Sequence, residues 1–326
     1  MLITRTPLRI TLGGGGTDLP SYYERFGGLV LSAAINRHIF ISINHTFSNE
    51  YLIKYSQLER TDDVESIDHP IVREALRLHP VGRGIELVSV ADIPAGTGLG
   101  SSGAFTVGVL RALYAHKRRY VTAAKLAEEA CRIEIELLGQ PVGKQDQYIA
   151  AFGGLTCMSF EPGGQVQVSP LAISTETLQD LEEHLCMFFT GYSRAASEVL
   201  QDQKRRSEEG DRDMLMNLHF VKENGIETMI ALEQGDMAQF GGLMHEHWEN
   251  KKKRSPGMSN SHIDRWYDKA LDHGAIGGKL VGAGSGGFLL FYAKDQDLVR
   301  QAMAEEGLEE VRFRFDHDGS SVIVRN

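Results

Sequence analysis

The stretch Pro94-Ala-Gly-Thr-Gly-Leu-Gly-Ser-Ser-Gly-Ala104 constrains this chain more than any other. The apolar run Ile85 to Ile93 precedes it and reads as a strand. An amphipathic run, Ala104 to Ala115, follows it, with Phe105, Val109, Ala112 and Leu113 at helical spacing. A strand that stops in a glycine loop and restarts as a helix presents several backbone N–H groups to one point. Gly96, Gly98, Gly100 and Gly103 permit positive φ and close approach. The first helical turn adds its own N–H groups and the positive end of its dipole. Ser101 and Ser102 add hydroxyls suited to a phosphate or a metal ion. The stretch is read as a nucleotide-phosphate loop.

Two other glycine-loop motifs are weighed against this reading. No Walker A pattern occurs, since Gly277-Gly278-Lys279 is followed by Leu280. Gly98-x-Gly100-x-x-Gly103 does fit a dinucleotide fingerprint, which leaves an NAD-dependent dehydrogenase as a rival of a different class. A Rossmann unit, however, returns promptly to a second strand ending in an acid. Here a second helix, Thr122 to Leu138, follows the first.

The chain has 326 residues, 42% of them hydrophobic, enough for one large domain or two. A net charge of −10 argues against a nucleic-acid partner. Cys131, Cys157 and Cys186 sit in apolar surroundings without C-x-x-C spacing, as reduced core cysteines do. There is no signal-peptide pattern and no apolar run of bilayer-spanning length. A soluble, cytoplasmic protein with no membrane partner is expected.

The first strand, Met1 to Leu12, runs into Gly13-Gly-Gly-Gly-Thr-Asp18. Four successive glycines suit neither strand interior nor helix. If the loop curls back, Arg9, Thr17 and Asp18 converge around small residues on which a polyhydroxyl ligand can lie; a bare turn is the simpler alternative. Leu29–Ile43 and Tyr51–Tyr55 read as strands, and Pro70–Leu78 as a helix with Glu74 and Arg77 on its wet face. In the Thr122–Leu138 helix, Leu126, Ala130, Ile133 and Leu137 form an apolar stripe, and Glu128, Arg132 and Glu136 a solvated face. Glu134 shares a line with Ala127, Cys131 and Leu138. A carboxylate there needs a partner or a metal unless it lies at the stripe's edge. Asp146 opens a short helix after Gly143, a position that the helix dipole alone would favour. LTCMSF and QVQVSPL read as paired strands. The composition turns polar around Pro170 to Thr177, dividing the chain into residues 1–172 and 173–326.

The second part reads as a helix (Thr175–His184), a buried strand (Leu185–Thr190) and helices Ser193–Glu208, Asp213–Glu233, Asp236–Arg254 and Asn260–His273. The basic run Lys251–Arg254 closes the third of these, where such a run ordinarily complements the dipole at the surface. His245 and His247, two apart on a helix, make a poor metal pair. Gly282-x-Gly284-x-x-Gly287 precedes an apolar strand and reads as a connection between strands. Leu298–Glu305 looks helical, and Val311–Phe315 with Val322–Val324 reads as a final strand pair.

Three motifs, in order, resemble those of the galactokinase–homoserine kinase–mevalonate kinase–phosphomevalonate kinase (GHMP) superfamily: Pro7–Asp18, Pro94–Ala104 and Gly282–Gly287. Within it, RITLGGGGTDLPSYY and the stretch His245–Arg254 are similar to sugar kinases that act on D-glycero-D-manno-heptose 7-phosphate. The resemblance implies a two-domain α+β fold. Its N-terminal ATP-binding domain carries a left-handed β-α-β crossover, against the usual handedness, and its C-terminal domain is α+β and ferredoxin-like. It implies ATP, with phosphates held by Pro94, Gly96, Thr97, Gly98, Gly100, Ser101, Ser102 and Gly103, and Mg²⁺ held by Ser102 and Glu134. Asp146 matches the catalytic aspartate, accepting the sugar's proton or orienting its hydroxyl, and Arg9 the cation beside it. Gly14, Gly15, Gly16, Thr17 and Asp18, with Gly143 and Gly284, match the sugar site.

Galactokinases carry a glutamate where this chain has Gly15, which argues against plain galactose. The implied reaction phosphorylates the anomeric hydroxyl of a heptose 7-phosphate, giving the 1,7-bisphosphate for nucleotide-activated heptose and surface polysaccharide synthesis. A fucose- or arabinose-type kinase would use the same residues in the same roles. A sugar already carrying a phosphate needs a cationic pocket apart from that of ATP. The candidates are Arg194 and the Lys251–Arg254 run, with Lys252 the residue singled out within it. The expected partners are small molecules, with self-association left open.

Overall fold

The computed structural model of the chain describes all residues except 192–196, 256, 283, 285 and 326. The first half runs β1 (Leu2–Gly13), α1 (Pro20–Phe26), β2 (Gly28–His45), β3 (Tyr51–Lys54), β4 (Leu58–Thr61), α2 (Pro70–Leu78), β5 (Ile85–Ala91), α3 (Ser101–His116), α4 (Ala123–Cys131), α5 (Gln145–Phe152), β6 (Leu155–Phe160) and β7 (Val166–Pro170). The second runs α6 (Thr175–His184), β8 (Leu185–Phe189), α7 (Ser197–Glu208), α8 (Arg212–Gln234), α9 (Met237–Lys252), α10 (Ser261–Asp272), β9 (Ala275–Val281), β10 (Phe288–Ala293), α11 (Gln296–Glu305), β11 (Glu309–Glu310) and β12 (Ser321–Arg325).

β1 and β2 form the antiparallel spine of the first sheet. Pro7 has no N–H for the ladder, and the register slips between Pro7 and Leu8, so proline marks a bulge instead of ending the strand. Every residue from Thr6 to Gly13 is buried, so both sides of β1 are covered. The length of β2 serves two neighbours: Gly28–Ala33 pairs with β6 and Ile39–His45 with β5. The order is β12-β1-β2-β5-β3-β4, with β6 and β7 extending from β2. Only β3 and β5 run parallel, with α2 in the connection between them.

The second sheet, β11-β8-β10-β9, is antiparallel throughout. A β-α-β-β-α-β run with its first and third strands central is the ferredoxin-like arrangement. Successive side chains of β10 point to opposite faces. Phe288, Leu290 and Tyr292 join the large core around β1, β2 and α3, while Leu289 and Phe291 join a second cluster with Trp248 and Tyr267. The two halves therefore share one core.

Three expectations are corrected. The final strand pair does not form: β11 adds to the second sheet, Phe315 bridges to Ile35, and β12 adds to β1. The last strand thus completes the first sheet. The helix after the central loop changes character, because Arg132–Leu137 is a π-helix with the Leu138 N–H donating to the Ile133 carbonyl. Its wider turn shifts the phase. Leu137, expected on the apolar stripe, is 43% exposed, whereas Glu134 is fully buried. Glu74 lies inside, not on the wet face, and accepts a hydrogen bond from Arg77. The three cysteines are unpaired, and no helix among the described residues is long and apolar enough to cross a membrane.

Candidate active site

A cavity of about 480 Å³ opens where the glycine loops after β1 and before α3 meet β9, α7 and the end of α9. Gly96, Gly98, Gly100, Ser101 and Ser102 form one wall. α3 begins after Gly100, which is left-handed (φ 74°), and no side chain caps its first turn. By contrast, Thr122, Ser174, Asp211 and Asn260 cap α4, α6, α8 and α10. The first-turn N–H groups of α3 therefore have no side-chain acceptor, which suits an external anion. At Gly98 (φ +85°) a Cβ would lie 2.6 Å from the Val281 carbonyl, so glycine lets this loop press against the third glycine motif. Pro94 and Thr97 do not line the cavity; the buried Thr97 hydroxyl donates to the Pro94 carbonyl at 3.0 Å and folds the loop on itself. Gly103 lies under Asp146, where a Cβ would come within 2.7 Å of that residue's own.

Asp146 stands in the first turn of α5 and lines the cavity. Arg9 grips it two-pronged: Nε donates to Oδ1 at 2.8 Å and Nη2 to Oδ2 at 3.1 Å. Nη1 of Arg9 donates to the Gly98 carbonyl, and its backbone N–H to that of Leu99. Behind Ser102 lies Glu134. The Ser102 hydroxyl donates to one carboxylate oxygen, and Gln147 Nε2 donates to the other at 2.7 Å. Burial pushes the Glu134 carboxyl up to about 7, against the lowering effect of these two hydrogen bonds. A hydroxyl at the cavity wall with a buried carboxylate behind it is a hard-oxygen donor pair, which fits Mg²⁺.

Around the first glycine loop, Gly15, Gly16, Asp18 and Gly143 line the cavity. Asp18 accepts from the N–H groups of Gly16 and Gln145, each at 3.1 Å, and so caps α5 one residue before Asp146. Burial raises the Asp18 carboxyl above its ordinary range. Gly14 and Thr17 lie behind this surface. The buried Thr17 hydroxyl bridges the backbones of Gly14 and Leu29. Gly284 lines the far side.

The cations differ from expectation. Arg194 lies outside the described residues. Lys252 does not line the cavity; it pairs with Glu249 at 2.7 Å and lies near the rings of Trp248 and Tyr267. Lys251 and Arg254 of the expected run do line it, together with Lys279 and His247, which the sequence did not place there. Half of the basic run is thus buried instead of solvated. The signal was available: Phe240, Met244, His247 and Trp248 set an apolar face on α9 that passes through Lys251 and misses Lys252. Burial lowers the Lys279 ammonium to about 7 and the Arg254 guanidinium to about 10, and holds Lys251 and His247 well below their usual ranges.

An uncapped helix start facing a carboxylate that a guanidinium holds in place is suited to phosphoryl transfer to a hydroxyl. The chain belongs to the GHMP kinases. The description "GHMP kinases N terminal domain" matches residues 69–154 and "GHMP kinases C terminal" residues 228–308. Within that family its sequence is similar to those of sugar kinases. It is 32% identical, over 97% of each chain, to the D-glycero-alpha-D-manno-heptose 7-phosphate kinase of Campylobacter jejuni. It is 27% identical to the bifunctional fucokinase/GDP-fucose pyrophosphorylase of Arabidopsis thaliana, covering 90% of this chain and 30% of that protein. Among solved structures, a D-glycero-D-manno-heptose 1-phosphate kinase from Bacteroides thetaiotaomicron superposes with a TM-score of 0.83 at 26% identity, covering all of both chains. The protein is a sugar kinase of the GHMP fold, and the dehydrogenase reading falls.

Proposed function

We propose that this kinase transfers the γ-phosphoryl group of ATP to the anomeric hydroxyl of D-glycero-D-manno-heptose 7-phosphate, giving the 1,7-bisphosphate and ADP for nucleotide-activated heptose synthesis. The observation that carries the chemistry is the Arg9–Asp146 pair beside the uncapped start of α3. The nucleotide's phosphates rest on the N–H groups of the Gly96–Ser102 loop. Asp146 takes the proton of the sugar hydroxyl as its oxygen bonds to the γ-phosphorus and the bond to ADP breaks. Arg9 keeps the carboxylate aimed and its other nitrogen fixed on the nucleotide loop, so that acceptor and donor sides hold one geometry. Ser102 and Glu134 would hold Mg²⁺, which supplies positive charge to the phosphate oxygens.

The sugar's hydroxyls lie against Gly15, Gly16, Asp18 and Gly143, where missing side chains leave room for a ring. The choice of heptose 7-phosphate rests on the 32% identity to a kinase of that substrate and on glycine at position 15. ADP release measured across free and phosphorylated heptoses, hexoses, fucose and arabinose tests it. Heptose 7-phosphate should give the highest kcat/KM, and a higher value for any unphosphorylated sugar overturns the substrate.

A further inference from the structure

The cations on the second-half wall of the cavity have no ion-paired acid among the described residues. Lys251, Arg254 and Lys279 are 6%, 3% and 3% exposed, and among the described residues none makes an ion pair with a carboxylate. Their partners are neutral. Lys251 Nζ donates to the carbonyls of Leu280 and Gly282, and Lys279 Nζ to that of Leu12 at 2.6 Å. Arg254 Nε donates to Asn217 Oδ1 at 2.9 Å and Nη1 to the Gly15 carbonyl at 3.3 Å, while Nη2 is buried with no partner. His247 Nδ1 is buried and unpartnered in the same wall. Among the described residues, Asp18 offsets Arg254 electrostatically without pairing with it. Three buried cations depress one another and are costly to keep unless an anion completes them.

Resting on the kinase reading above, we infer that Arg254, Lys251 and Lys279 form a second anion site, which takes the terminal phosphate that the acceptor sugar already carries. The location favours that anion over those of the nucleotide. Arg254 abuts the first glycine loop: a Cβ at Gly16 would lie 2.7 Å from its Nη1. The cation that touches the nucleotide loop is Arg9, through Gly98. The guanidinium has the two-pronged shape for a phosphate, and its unpartnered Nη2 gains a charged acceptor. The lysines add point charge from β9 and the end of α9. Selection for a phosphorylated sugar thus resides in the C-terminal half, while the hydroxyl to be phosphorylated lies at Asp146 in the N-terminal half.

The test compares kcat/KM for heptose 7-phosphate and for the same heptose without phosphate, in the native enzyme and in Arg254→Gln and Lys251→Met. Methionine removes an unpaired buried charge at similar length, so it guards against a folding failure at Arg254. Each variant should lower the preference for the phosphorylated sugar by about tenfold to a hundredfold, the range for one charged hydrogen bond, with Arg254→Lys recovering part. The KM for ATP should not follow. In the native enzyme, inorganic phosphate should compete with heptose 7-phosphate and not with ATP, and should bind more weakly to both variants by calorimetry. An unchanged preference, a rise in the KM for ATP instead, or phosphate competing with ATP overturns the site and leaves the kinase reading standing. If native enzyme does not use heptose 7-phosphate, the substrate reading fails, and the calorimetry with inorganic phosphate then judges the site by itself.

Discussion

Arg9 and Asp146 are joined through both carboxylate oxygens, at 2.8 and 3.1 Å, and the third nitrogen of the same guanidinium holds the Gly98 carbonyl. One side chain from within β1 therefore couples the proton acceptor to the loop that faces the nucleotide. Asp146→Asn keeps size and most contacts but cannot take a proton. Its kcat should fall by about 10²–10⁴-fold, the usual loss for a general base, with little change in the KM for ATP. Steady-state ADP release checks this, and near-native kcat would remove Asp146 from the chemistry.

Arg9→Lys keeps the charge and gives up the planar fork. A lysine cannot hold both oxygens of Asp146 and the Gly98 carbonyl together. Losing one charged hydrogen bond, about 1.5–3 kcal/mol, should lower kcat/KM on the order of tenfold or more. Because the nucleotide loop loosens as well, the KM for ATP should rise together with the fall in kcat. A variant in which only the sugar's KM moves would show that the pair does not bridge the two sides.

Glu134→Gln should separate metal binding from folding. Burial lifts the Glu134 carboxyl to about 7 from 4.5. Its favourable contribution to stability is therefore complete below pH 4.5 and is lost as pH rises through 7. The neutral variant escapes that loss and should become the more stable protein above pH 7, by on the order of 3 kcal/mol at about 1.4 kcal/mol per pH unit. Gln147 can accommodate the new amide by flipping, since its own oxygen is buried without a partner. The Mg²⁺ concentration needed for half-maximal rate should rise in the same variant. Chemical unfolding across pH 4 to 8 and Mg²⁺ titration read the two effects. A destabilised variant with unchanged Mg²⁺ demand would make Glu134 purely structural.

Lys279 behaves in the opposite sense. Burial, with Arg9 and Arg254 nearby, lowers its ammonium to about 7 from 10.5. Its favourable contribution is complete above pH 10.5 and is lost as pH falls through 7. Lys279→Met should therefore gain stability over the native protein as pH drops from 10 to 7 and hold that gain below. The gain is on the order of 4 kcal/mol at about 1.4 kcal/mol per unit, less about 1 kcal/mol for the orphaned Leu12 carbonyl. A difference between the two unfolding midpoints that is flat across pH 7 to 10 would contradict the buried-charge description.

Part of the fold and of the site is legible in the sequence. The strand–glycine loop–helix around Gly98 and the connection at Gly282–Gly287 follow from local pattern, because each needs only its own neighbours to form. Pattern marked Glu134 only as an awkward carboxylate and Asp146 only as a helix-start acid, and their site roles came from the family resemblance. Long-range pairing was not legible: the segment after Phe315 could join any compatible edge, and β1 took it. Nor was the π-turn, since i→i−5 bonding up to Leu138 leaves no compositional mark yet moves Leu137 outward. Naming Lys252 to stand for the Lys251–Arg254 run failed differently. A basic run was read as one object, although the helical period of α9 assigns adjacent lysines to opposite environments.

The most direct measurement is ³¹P NMR of the product made from ATP and D-glycero-D-manno-heptose 7-phosphate. The proposed reaction predicts a sugar with two phosphorus signals, the new one coupled to the anomeric proton, formed in step with ADP. ADP formation without that coupling, or no second phosphate on the sugar at all, would contradict transfer to the anomeric hydroxyl of this substrate.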